Sequence, residues 1–123
     1  MKLIIAGSRT IDKDSLLELF DINSLLRFFK LEWPEEFVHG GCPTGADAYC
    51  DAVADSYHDT TKVKVFKADW NTNGRAAGPI RNKSMATYAD ALILIWDGKS
   101  KGSSNMKTEM MKLGKPVYEV ILK

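Results

Sequence analysis

Leu3-Ile4-Ile5-Ala6-Gly7-Ser8-Arg9 is the stretch that decides the fold. Four apolar residues in unbroken succession read as a strand covered on both faces, as strands of parallel sheets are, and a polar loop ends it. The same device returns three times. Phe37-Val38-His39 runs into Gly40-Gly41-Cys42-Pro43-Thr44-Gly45, and Val63-Lys64-Val65-Phe66 leads to a polar segment holding Gly74-Arg75-Ala76-Ala77-Gly78. Ala91-Leu92-Ile93-Leu94-Ile95-Trp96 runs into a loop with Gly102-Ser103-Ser104. A helical pattern follows each loop. In an open parallel α/β sheet such loops gather at the carboxyl ends of the strands, beside free N–H groups and positive helix ends. That edge is built to hold an anion, and a nucleotide phosphate is the one to expect.

Between the loops the apolar residues keep helical spacing. Asp12 or Asp14 can cap a helix carrying Leu16, Leu19, Ile22, Leu26 and Phe29 on one face, with Asn23-Ser24 as its point of interruption. Thr44 opens the clearest helix, with Ala46, Tyr49, Cys50, Val53, Ala54 and Tyr57 on one stripe; Thr44 and Asp47 fit a capping box. Asp69 to Ala77 lacks periodicity and reads as a loop, and Pro79 suits the first turn of the next helix. The last helix holds Met106, Met110 and Leu113, ends at Gly114 and Pro116, and is followed by a strand over 117–122. Lys64 marks the third strand as an edge, and the run 91–96 reads as central. Five strands alternating with four helices make one domain over 1–123. Its expected fold is a Rossmann-like three-layer α/β/α sandwich on a mostly parallel five-stranded sheet.

Composition narrows the function. The 123 residues carry 17 Lys and Arg against 16 Asp and Glu, a formal net charge of +1, with the basic residues scattered. That balance argues against duplex DNA as a partner. Two cysteines without a CxxC pair, and only two histidines, do not make a structural zinc site or a disulfide framework. No apolar stretch is long enough for a signal-peptide core or a bilayer span, so a cytoplasmic protein without a membrane partner is expected. Leu25 and Phe28 lie off the main stripe of the first helix. They suit a homodimer interface or an imperfectly drawn helix, and both readings stay open.

Each loop offers ligand-binding groups. Gly7 lets a ligand approach the backbone, Ser8 offers a hydroxyl and Arg9 a bidentate grip, unless the three only form a tight turn. Gly40, Gly41, Cys42, Thr44, Gly45 and Asp47 form the strongest local signal, a glycine loop aimed by a helix start, which is neither a Walker A loop nor GxGxxG. Cys42 is read there as loop lining rather than a nucleophile. Asp69, Trp70, Asn71 and Asn73 can meet a base or sugar, and Arg75, Arg81 and Asn82 can reach phosphate. Arg81 and Asn82 are placed in the first helical turn, where a basic residue opposes the helix dipole. That local conflict hints at function rather than stability. Gly102 and Ser103 form a further anion cup, and Glu109 either faces it as an acid or base or pairs with a neighbouring Lys. Trp96 can stack on a base or belong to the core. No cofactor motif is present, so the cation to consider is Mg2+ carried in with a phosphate ligand.

The ordered set AGSR, GGCPTGAD, ADW, GPIRNKSMATYADALI, WDGKSKGS and GKPV resembles the YspA-like, YpsA-related branch of the SLOG superfamily (DUF2493), over nearly the whole chain. The superfamily also includes the LOG phosphoribohydrolases and DprA. The resemblance implies a Rossmann-like fold that binds nucleotides or nucleotide-derived ligands. Arg81 to Met85, RNKSM, is similar to the RKxxM segment of the LOG enzymes, whose arginine helps cleave a base–ribose bond; this makes Arg81 the catalytic or ligand-clamping candidate. The LOG enzymes take a catalytic glutamate from PGGxGTxxE. Here no Glu follows Gly102 at that spacing, the first being Glu109.

The expectation is therefore a domain that binds a nucleotide-like small molecule at the carboxyl edge of the sheet, as a sensor or a sequestering protein. The alternative is a nucleoside-phosphate N-glycosidase in which Glu109 or Asp47 replaces the missing glutamate. A DprA-like role with single-stranded nucleic acid is the weakest reading, because no basic stacking track of aromatic residues is evident.

Overall fold

The computed structural model describes residues 1–55 and 61–122. Five strands, β1 Lys2–Gly7, β2 Glu36–His39, β3 Lys62–Val65, β4 Ala91–Trp96 and β5 Val117–Ile121, form one sheet in the order β3-β2-β1-β4-β5. All four pairings are parallel, with Ile4 opposite Val38 on one side and Leu92 on the other. The chain steps outward from β1 to β2 and β3, then crosses back to β4. The carboxyl ends of β1 and β4 therefore flank a switch point, where the covering segments diverge and leave a crevice.

The unbroken apolar runs follow from burial on both faces. Leu3, Ile5, Phe37, Ile93 and Ile95 enter one core, against α1 Lys13–Leu19, α2 Ile22–Phe28 and α3 Gly45–Asp55. Ile4, Val38, Leu92, Leu94 and Trp96 enter the other, against α5 Ala77–Tyr88 and α6 Lys101–Lys112. Each aliphatic side chain so buried stabilises by about 1.5–3 kcal/mol. The result is the Rossmann-like three-layer sandwich, with a sheet that is wholly parallel rather than mostly so.

Several elements differ from expectation. The first helix is two helices, broken at Phe20-Asp21 and not at Asn23-Ser24. Asp21 starts the second by accepting from the Ser24 amide at 3.3 Å and the Ser24 hydroxyl at 3.1 Å, so Ser24 helps to begin a helix instead of interrupting one. The buried Tyr49 hydroxyl donates to the Phe20 carbonyl at 2.9 Å and holds the break in place. The break rotates the second stripe: Leu25 is buried in the core while Leu19 and Phe28 are exposed. Leu25 thus cannot serve a partner interface in this fold.

The segment read as a loop between Asp69 and Ala77 holds a short helix, α4 Trp70–Asn73, and a 3-10 turn, Gly74–Ala76. Asp69 caps α4 through the Thr72 amide at 3.1 Å. The next helix begins at Ala77, which moves Arg81 and Asn82 past its first turn. The last begins at Lys101, so Gly102 and Ser103 lie within its first turn rather than before it. The middle strand is β1, with β4 beside it; β3 is the edge that Lys64 marked. Tyr57 and His58 lie outside the described residues. Among the described residues no helix is long and apolar enough to cross a membrane.

Candidate functional site

A cleft of about 460 Å³ opens at the switch point, and all four strand-end loops contribute to it. Gly7 and Arg9 come from the end of β1, and Gly40, Cys42, Thr44 and Asp47 from β2 and the start of α3. Trp70, Arg75, Arg81 and Asn82 come from the segment after β3, and Ser100 to Ser103 from the start of α6; Met85 and Met106 lie among the apolar lining.

Close backbone approach builds the near wall. Gly45 has φ +68°, and a Cβ there would stand 2.2 Å from the Ser8 carbonyl oxygen. The start of α3 is thereby pressed onto the loop after β1, and the Thr44 hydroxyl donates to the Arg9 carbonyl at 3.1 Å across the same contact. Asp47 does not close a capping box on Thr44. Its carboxylate turns into the loop and accepts from the Cys42 amide at 2.9 Å.

Arg81 crosses the cleft. Its Nη1 donates to the Gly40 carbonyl at 2.9 Å, and its Nε donates to Asn82 Oδ1 at 3.0 Å. A Cβ on Gly40 would lie 2.4 Å from Nη1, so residue 40 has no room for a side chain while Arg81 is in place. A guanidinium has five N–H donors. The other three have no protein partner among the described residues. Burial lowers the Arg81 pKa from its ordinary value, opposed by the nearby Asp47 carboxylate and reinforced by Arg9; the group stays protonated nonetheless. Buried Asn82 then donates to the Gly102 carbonyl at 3.3 Å and to Asn105 Oδ1 at 2.9 Å, tying α5 to α6.

The charge of the lining is one-sided. Arg9, Arg75, Arg81 and Lys101 face a single carboxylate, Asp47. None of the four cations forms an ion pair among the described residues. Ser103 is 5% exposed, lines the cleft, and has no hydrogen-bond partner for its hydroxyl among those residues. Trp70 is half exposed at the mouth, where a Cβ at Gly78 would lie 3.4 Å from the indole edge.

Other candidates fall elsewhere. Ser8 is buried and bonds Thr10 Oγ1 at 2.9 Å, serving the turn. Gly41, Gly45 and Asp69 shape the site without lining the main cleft. Glu109 lies outside it, with its carboxylate 3.2 Å from Lys112 Nζ. Of the two carboxylates that base release would call on, Asp47 alone lines the cleft. Trp96 is core, with its indole N–H on Glu119 at 3.1 Å. Among the described residues no group of three or more His, Cys, Asp or Glu is placed to hold a metal ion.

Sequence reasoning missed His39, Lys101 and Asn105. His39 is 1% exposed; its Nδ1 accepts from the Gly41 amide at 3.0 Å, so the ring proton sits on Nε2 and is donated to Asp51 at 2.6 Å. The ring thereby fixes the glycine loop from behind. A histidine ending a strand immediately before Gly-Gly was the available signal. No family model matches the chain, and no curated protein matches it in sequence.

Proposed function

We propose that the cleft binds a nucleotide or nucleotide-derived ligand, and that the protein acts as a sensor or sequestering domain of the SLOG type. The observation that carries this reading is the charge of the lining. Four cations and one carboxylate converge in a chain whose net charge is only +1. Unpaired cations that line one cleft repel one another and are stabilised by a bound anion. Trp70 supplies the aromatic face a base needs, and the start of α6 supplies N–H donors for phosphate. The Arg81-Asn82 pair within the RNKSM segment agrees with the family resemblance.

Binding is favoured over base release because Glu109 is turned to Lys112, while Asp47 already accepts a backbone hydrogen bond. Arg81 is the residue to remove. Arg81→Ala should lower nucleotide affinity by at least about tenfold, the worth of one charge-assisted hydrogen bond. Calorimetric titration on a variant whose far-UV spectrum matches the parent makes the comparison. Unchanged affinity would take Arg81 out of the site.

A further inference from the structure

Beyond the Arg81 side chain the cleft continues. A second hollow of about 360 Å³ shares Arg9, Gly40, Trp70 and Arg81 with the main cleft and adds Gly41 and Lys67. Its lining has three cations, Arg9, Lys67 and Arg81, and no carboxylate. The stem of exposed Lys67 passes beside the glycine loop, where a Cβ on Gly41 would meet it at 3.3 Å.

We propose that this hollow is a second anion subsite and that the ligand carries two linked phosphoryl groups, one on each side of the Arg81 guanidinium. The inference rests on the nucleotide-binding reading and specifies its ligand class as a nucleotide pyrophosphate. Arg81 spends two of its five N–H groups on Gly40 and Asn82. The remaining three stand in a wall common to both lobes and have no protein acceptor among the described residues. A planar fork of this kind can serve two oxygen acceptors on neighbouring phosphoryl groups. Each lobe adds its own group for an anion: on the main side Lys101 and the Ser103 hydroxyl, which both line the cleft, and on the far side the Lys67 ammonium. A monophosphate satisfies one side only.

Inorganic phosphate and pyrophosphate test this without any contribution from a base. Their dissociation constants are measured by thermal-shift titration on the parent, Lys67→Ala, and Lys83→Ala as a control for net charge outside both lobes. Pyrophosphate should bind the parent about tenfold tighter than phosphate. Lys67→Ala should weaken pyrophosphate binding more than phosphate binding and so remove most of that preference, while Lys83→Ala keeps it. A preference that survives Lys67→Ala overturns the proposal, as does equal loss in Lys67→Ala and Lys83→Ala or no preference in the parent. If nucleoside monophosphates still bind when the preference is missing, only the second subsite falls. If no nucleotide or phosphate binds at all, the nucleotide-binding reading falls with it.

Discussion

Gly45 joins the first two strand-end loops, and the site depends on that junction. Its φ of +68° and the 2.2 Å approach of the Ser8 carbonyl to a Cβ position leave no conformation that suits another residue. Gly45→Ala should cost at least about 1–2 kcal/mol from the left-handed backbone alone. A melting temperature several degrees below the parent would be the sign; an unchanged one would mean that α3 is not pressed onto the β1 loop. Arg81 was singled out in advance by its charge near an expected helix start and by the RNKSM segment, although the helix begins at Ala77 and carries it past the first turn. What could not be read was its reach: the bond to Gly40 links positions 41 apart, and no local pattern records it. The place of His39 before Gly40-Gly41 was visible, but its partners were hidden for a related reason. A histidine on a strand is ordinary until the fold shows Asp51 on one ring nitrogen and the Gly41 amide on the other.

The start of α6 governs one end of the cleft, and the turn before it is tied by a carboxylate. Asp97 Oδ1 accepts from the Lys99 amide at 2.9 Å and the Ser100 amide at 3.0 Å. These bonds favour the ionised form and lower the Asp97 pKa below its ordinary value of 3.8. A lowered folded-state pKa contributes stability that is present above 3.8 and is lost as pH falls through the depressed value. Asp97→Asn should therefore melt below the parent near neutral pH, and the gap should narrow as melts are repeated below 3.8. A gap independent of pH would show that the carboxylate charge does not hold this turn. At this scale the strands were the most legible elements, because long apolar runs have few alternatives. The starts of α5 and α6 lie about two and four residues before the expected ones, and neither has a side-chain cap to mark it. Asp21 divided the first helix, and Asp69 organised α4 out of a stretch with no apolar period.

Across the whole molecule, topology turns an almost neutral chain into one with a cationic cleft. The sheet order β3-β2-β1-β4-β5 places the switch point between β1 and β4, and the segments after β1, β3 and β4 then bring Arg9, Arg75, Arg81 and Lys101 together. The α/β class and the shared edge of the loops follow from sequence, since a parallel sheet with right-handed crossovers puts every strand end on the same side. The charge of the cleft does not, because the cations are scattered along the chain and only folding decides which carboxylates stay away. Glu109 is the clearest case: it is near in sequence to the α6 start, yet its helix carries it out to Lys112. The most direct test of the central claim is the thermal stability of the protein against a panel of nucleoside mono- and diphosphates and dinucleotides. One class at about 100 times its dissociation constant should stabilise the fold by about 2.7 kcal/mol, with no matching shift in Arg81→Ala. A melting temperature that no nucleotide moves, or that moves equally in Arg81→Ala, would contradict a nucleotide site at this cleft.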